Sequence, residues 1–201
     1  MRIAVRMALA WVATCTLIGC ASPLPEESEQ ARPLPQSLVP QPTRMRDAHA
    51  TAVKAFEEND AEKAEQLYLE AVRTFSQYPA VWNNLGVLLM EQDRYNEAAE
   101  AFARAAELAP DDPRPVYNEG LLYFNRRYPH RALPLFEEAL NRDPNHLDAL
   151  RASIQTQVLI REVDQGTLEL IARAMMLDPD ERWRQFYEDN RSKIETLLEN
   201  R

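Results

Sequence analysis

Glycine is scarce, with four in 201 residues. So few positions for tight turns leave little room for a β-rich fold. Neither GxxxxGK nor GxGxxG occurs, which excludes a P-loop and a dinucleotide-binding fingerprint. Cysteine is scarcer: Cys15 and Cys20 alone cannot build a disulfide framework or a CxxC metal site. HExxH, GxSxG and SxxK are all missing, so no zinc hydrolase or serine nucleophile announces itself. Basic residues are outnumbered, 23 Lys and Arg against 32 Asp and Glu, for a net charge of −9. That balance argues against broad nucleic-acid binding, which depends on neutralising phosphates. What is left is an acidic, helix-prone chain with no cofactor motif.

The N-terminus carries Arg2 and Arg6, then an apolar run from Met7 to Ile18 that closes Leu17-Ile18-Gly19-Cys20. A run of 12 residues suits a signal-peptide core and is too short to cross a bilayer, which takes about 20. The ending resembles the bacterial lipobox, a short apolar stretch with a small residue just before cysteine. The resemblance implies that the Cys20 sulfur receives a diacylglycerol, that the signal 1–19 is removed, and that the new amine is acylated, commonly with palmitate. Losing both arginines takes the charge from −9 to −11. Two or three acyl chains anchor stably where one is marginal. Ala21 stands where an Asp resembles an inner-membrane retention signal, so the expected location is the outer membrane of a Gram-negative envelope, on its periplasmic face or surface.

Residues 20–44 then hold six of the 14 prolines: Pro23, Pro25, Pro33, Pro35, Pro40 and Pro42. Proline cannot donate to a helix or sheet ladder, and apolar residues are too sparse there for a core. The segment reads as a semi-extended spacer reaching on the order of 70 Å at full stretch.

From Met45 the apolar spacing is helical and repeats every 34 residues. One copy, 79–112, carries Trp82, Leu85, Gly86, Leu89, Ala98, Phe102, Ala105 and Pro110. The next, 113–146, carries Val116, Gly120, Tyr123, Ala132, Phe136, Ala139 and Pro144. The pattern W-x2-L-G-x2-Y…A-x3-F-x2-A-x4-P resembles the tetratricopeptide repeat. Each unit is two antiparallel helices that cannot bury their apolar faces alone. The glycines and Ala98 and Ala132 let the pair approach closely, and Phe102 and Phe136 fill the space left. Asp112-Pro113 reads as a helix cap followed by proline at the first helical position.

A weaker copy occupies 45–78, with Ala48, Ala52, Ala64, Tyr68, Ala71 and Ser76 at signature positions. A degenerate one occupies 147–180: Leu150, then Ile154 in place of glycine, then Thr167, Ile171, Ala174 and Pro179 after one inserted residue. Asp178-Pro179 suggests a new cap and helix start, and 181–201 reads as a capping helix with Trp183, Phe186, Tyr187, Ile194, Leu197 and Leu198 on one stripe. The expected fold is therefore all-α: a helix-turn-helix solenoid of about three to four repeats, closed by a helix with one polar face.

His49 falls on a first helix, His130 in a turn and His146 between repeats, and each reads as a solvated residue rather than a metal ligand. Glu57-Glu58 and Asp111-Asp112 read as a solvated face and a cap. An enzyme is not expected, nor a metal or cofactor. By resemblance, repeat positions 2, 5, 6, 9, 12 and 13 face a concave groove that takes a protein or peptide segment. Those positions hold His49, Val53, Phe56, Glu57, Asn83, Asn84, Val87, Met90, Glu91, Arg114, Tyr117, Asn118, Leu121, Phe124, Asn125, Arg151, Gln155 and Val158. Val87, Met90, Tyr117, Leu121 and Phe124 can take apolar side chains. Asn84 and Asn118 offer donor and acceptor to a peptide backbone, or tie helices together. His49 and Asn83 at position 5 replace the Lys with which some relatives grip a C-terminal carboxylate. Arg114 and Arg151 remain as weaker anion contacts.

The resemblance implies a lipid-anchored adaptor serving pilus biogenesis, secretin assembly or recruitment of cell-wall enzymes. The alternative is a structural protein that self-associates through the same groove.

Overall fold

A computed structural model describes residues 41–200 apart from Asn59. The expected signal, Cys20 and the spacer up to residue 40 lie outside the described residues. The described chain is helical throughout: α1 Gln41–Glu57, α2 Ala61–Thr74, α3 Pro79–Glu91, α4 Tyr95–Leu108, α5 Pro113–Asn125, α6 Pro129–Arg142, α7 Leu147–Ile160, α8 Gln165–Leu177 and α9 Glu181–Glu199. They pack as successive pairs α1/α2, α3/α4, α5/α6 and α7/α8, with α9 against α8. The first helices also touch along one side, α3 with α5 and α5 with α7. That contact brings the residues of the expected groove onto neighbouring helices.

Local chemistry sets the boundaries. Asp60, Asp112 and Asp180 cap α2, α5 and α9 by accepting from the backbone N–H of Lys63, Arg114 and Arg182. Asp164 and Thr167 bond each other's backbones in a reciprocal box that starts α8. Pro79, Pro113 and Pro129 sit at first-turn positions, where a missing N–H costs nothing. Pro110 and Pro144 follow the ends of α4 and α6. Three turns close on non-glycine residues with left-handed backbone: Asp93, Arg127 and Arg161, at φ 60°, 65° and 60°. All three stand at repeat position 15, so the turn geometry repeats with the sequence.

The core follows the repeat as well. Ala52 and Tyr68 are buried in the same cluster, Gly86 meets Phe102, and Gly120 meets Phe136. A β-carbon on Gly86 or Gly120 would stand 2.6 Å from its phenylalanine ring. In the fourth pair Ile154 and Ile171, both fully buried, replace the small–large couple by two medium side chains. The degenerate repeat is thus packed, by redistributing volume rather than losing it.

Several boundaries differ from the sequence reading. Helix α1 already includes 41–44, the end of the segment read as spacer. His130 lies in the first turn of α6 rather than in a turn. Asp178 does not start α9: it ends α8, Pro179 precedes the helix, and Asp180 is the cap. Leu197 leaves the cap's apolar stripe and is exposed, while Tyr187 and Ile194 are buried.

Candidate peptide-binding groove

The most ordered feature of the groove is a hydrogen-bonded row crossing three first helices. Asn118 on α5 donates to the Oδ1 of Asn83 on α3 at 2.9 Å. Asn83 donates to the Oδ1 of Asn84 at 3.1 Å. The Nδ2 of Asn84 meets the Nε2 of His49 on α1 at 2.6 Å. All four side chains are half-buried. His49 is therefore not the solvated residue expected from sequence. Burial pushes its pKa below the usual 6.5, which favours the neutral imidazole that accepts from Asn84. Tyr68 lies edge-on to the same ring.

Beside this row, Val53, Phe56, Val87 and Met90 are half-buried and packed on the first apolar cluster. Leu121, Phe124 and Val158 are half-buried in the next two repeats. Glu57, Glu91, Asn125 and Gln155 are exposed at the margin. Tyr117 is less available than expected. Its ring stands 5.9 Å from Phe136 and 5.2 Å from His146, and burial, with Asp148 nearby, pushes its phenol up to about 12. His146 is likewise committed, since its Nδ1 caps α7 by accepting from Ala149 N–H.

The two arginines read as anion contacts are both occupied. Arg114 bonds Asp112. Arg151 is held through its guanidinium by Asp178 at 2.8 and 2.6 Å, and lies 5.2 Å over Trp183. The Tyr187 hydroxyl and the Asp180 N–H complete the shell of Asp178, whose carboxyl falls to about 2, chiefly through Arg151. Asp178 and Tyr187 were missing from the sequence reading of this site. The signal was an arginine at the groove position of the last repeat, with a carboxylate ahead of the cap.

A cavity of 580 Å³ opens where α5 and α7 end, lined by Phe124, Asn125, Arg127, Pro129, His130, Leu159 and Ile160. Among these, sequence reasoning had only Phe124 and Asn125, because the others face outward in the repeat and meet only once turns are placed. Leu159 is 61% exposed. Among the described residues no cluster of His, Cys, Asp or Glu could hold a metal ion, and no helix is long and apolar enough to cross a membrane.

The family model described as Tetratricopeptide repeat matches residues 55–116. Over those residues the chain is similar to the tetratricopeptide-repeat family, and its paired helices have that fold. It is 34% identical over 122 residues to the type IV pilus assembly protein PilF of Pseudomonas aeruginosa, covering 59% of this chain and 48% of that protein. It is 26% identical over 167 residues to the human protein O-mannosyl-transferase TMTC3, covering 76% of this chain and 18% of that protein. The chain thus spans about half, or less, of these relatives. Among solved structures, yeast Tom70 superposes with a TM-score of 0.67 at 19% identity, over 79% of this chain and 34% of that one. The Pseudomonas aeruginosa PilF structure superposes at 0.63 and 23% identity, over 80% and 77%. Both likenesses show the fold. Repeats of this kind generally serve protein–protein interaction.

Proposed function

We propose that this chain is a lipid-anchored, non-catalytic scaffold of the bacterial cell envelope that holds a protein segment in its groove during assembly of a machine of the type IV pilus class. The observation that carries the pathway is the 34% identity to a type IV pilus assembly protein. The anchor reading rests on Arg2, Arg6, the apolar run and Gly19-Cys20. The domain layout of signal 1–19, lipidated spacer, four repeats and cap is part of the same proposal.

The groove chemistry fits a segment with alternating needs. Val87, Met90, Leu121 and Phe124 supply an apolar row, and the asparagine row beside it supplies donors and acceptors for a backbone. The test is a photo-crosslinker at Leu121 in the native cell, with exposed Glu100 as control. Leu121 is preferred to Tyr117, whose ring is engaged by Phe136 and His146. A discrete adduct at Leu121 alone, with an envelope assembly protein, supports the reading. Adducts only with a second copy move the function to self-association, and none at either site overturns the groove reading.

A further inference from the structure

The row His49–Asn84–Asn83–Asn118 has a direction. Every amide N–H in it points toward α1: Asn118 to Asn83, Asn83 to Asn84, and Asn84 to the Nε2 of His49. Asn83 and Asn84 each spend one amide edge on the neighbour before and the other on the neighbour after, and Asn118 ends the row with one edge spent. No member can reverse alone without setting two donors, or two acceptors, face to face in a half-buried row.

The end of the row is titratable. Neutral His49 with its proton on Nδ1 accepts at Nε2 from the Asn84 amide. Imidazolium carries a hydrogen on both ring nitrogens and can only donate. A proton on His49 then faces the Asn84 N–H with a second donor. Turning the Asn84 amide over resolves that conflict and moves it to Asn83. Turning Asn83 moves it to Asn118, where the third rotation ends it.

We infer that His49 and the three asparagines form a proton-set relay that reverses the hydrogen-bonding sense of the groove floor over three helices. In the neutral state Asn118 leaves its carbonyl oxygen as the unspent group toward α7. In the protonated state it leaves its amino group there. A backbone seated on Asn118 must present a donor in one state and an acceptor in the other, so the relay regulates which register the groove accepts. That consequence rests on the groove reading above; the relay itself does not.

Few groups compete for the proton. From α2 the titratable side chain against His49 is Tyr68, which burial holds neutral. From α3 it is met by the uncharged Asn84. On its own helix Arg46 and Asp47, of opposite sign, are both exposed, and the Glu57 carboxylate helps to hold the Tyr68 hydroxyl protonated.

The test is side-chain amide NMR on the full-length chain labelled with 15N-asparagine, titrated from neutral to mildly acidic pH. The expected result is that the Nδ2 resonances of Asn84, Asn83 and Asn118 all move with the midpoint of the His49 ring. Asn83→Ala should keep the Asn84 response and abolish that of Asn118. His49→Gln should abolish all three. An Asn118 resonance that stays still while His49 titrates overturns the relay, as does one that still follows His49 in Asn83→Ala. The readout needs no partner, so a failed crosslink at Leu121 leaves it standing, and a failed relay leaves the groove's partner untouched.

Discussion

Arg151 and Asp178, 27 residues apart, meet in a two-pronged ion pair at 2.8 and 2.6 Å, with the carboxylate fully sealed from solvent. The pair joins α7 to the segment that leads into α9, and Tyr187 of α9 donates to the same carboxylate. A buried charge of this kind is costly unless every lone pair is engaged, and here Asp180 N–H engages another. The cap is therefore held by a polar clasp as well as by its apolar stripe.

Asp178→Asn should lower stability by about 3 kcal/mol, because Arg151 keeps its charge and loses its buried partner, leaving only the exposed Asp148 at 3.6 Å. The pH dependence has a definite sign. The folded carboxyl is depressed to about 2 from an ordinary 3.8. The unfolded chain takes up the proton first as pH falls. The stabilisation, about 2 kcal/mol, is thus complete above pH 4 and lost on the way down to about pH 2. Urea unfolding across that range should show a shallower acid limb for the variant; parallel limbs would refute the clasp.

Gly120→Ala separates packing from helix propensity. Alanine is the better helix former by about 1 kcal/mol, so on an open helix the change stabilises. Here the new β-carbon would stand 2.6 Å from the Phe136 ring, which is fully buried and has nowhere to go. A net loss of about 1–3 kcal/mol is expected. Thermal unfolding reads the sign directly, and a raised Tm would mean that the two helices are not so close.

Much of this architecture was legible in the sequence, and the reasons are specific. Gly86, Gly120, Phe102 and Phe136 recur at 34-residue spacing because each pair solves the same packing problem, so pattern and structure agree there. Ile154 and Ile171 solve it with different volumes, which leaves a packed repeat without the glycine and the aromatic of the pattern. The groove was legible as positions but not as chemistry. That Arg151 is committed to Asp178, and His49 to Asn84, depends on contacts 27 and 35 residues apart, which single-residue positions do not encode. Asp178-Pro179 looked like a helix start because Asp before Pro is a common cap. The buried demand of Arg151 claimed the carboxylate instead.

Arg161 holds a left-handed conformation, φ 60°, at the end of α7, and its side chain is exposed. A β-carbon in that region costs about 1–2 kcal/mol, against which glycine loses part as extra chain entropy. Arg161→Gly should therefore raise stability by about 0.5–1 kcal/mol, seen as a higher urea midpoint with an unchanged slope. A fall would show that the arginine side chain stabilises the turn by contacts of its own.

Leu121 and Phe136 test whether groove and core are separate assets of the same repeat. Phe136 is fully buried against Gly120 and Tyr117, so Phe136→Ala should cost about 3–5 kcal/mol and loosen the whole stack. Leu121 is only half-buried and lies on the apolar row. Leu121→Ser should cost about 1–2 kcal/mol, less than at a fully buried leucine, because part of its surface stays in water. Its larger effect should fall on capture. With the crosslinker moved to exposed Asn125, one turn along α5, the adduct should be lost in Leu121→Ser while the melting curve stays near that of the parent. An undiminished adduct would place the partner elsewhere on the solenoid, with the cavity beside Phe124 and Leu159 the next surface to probe.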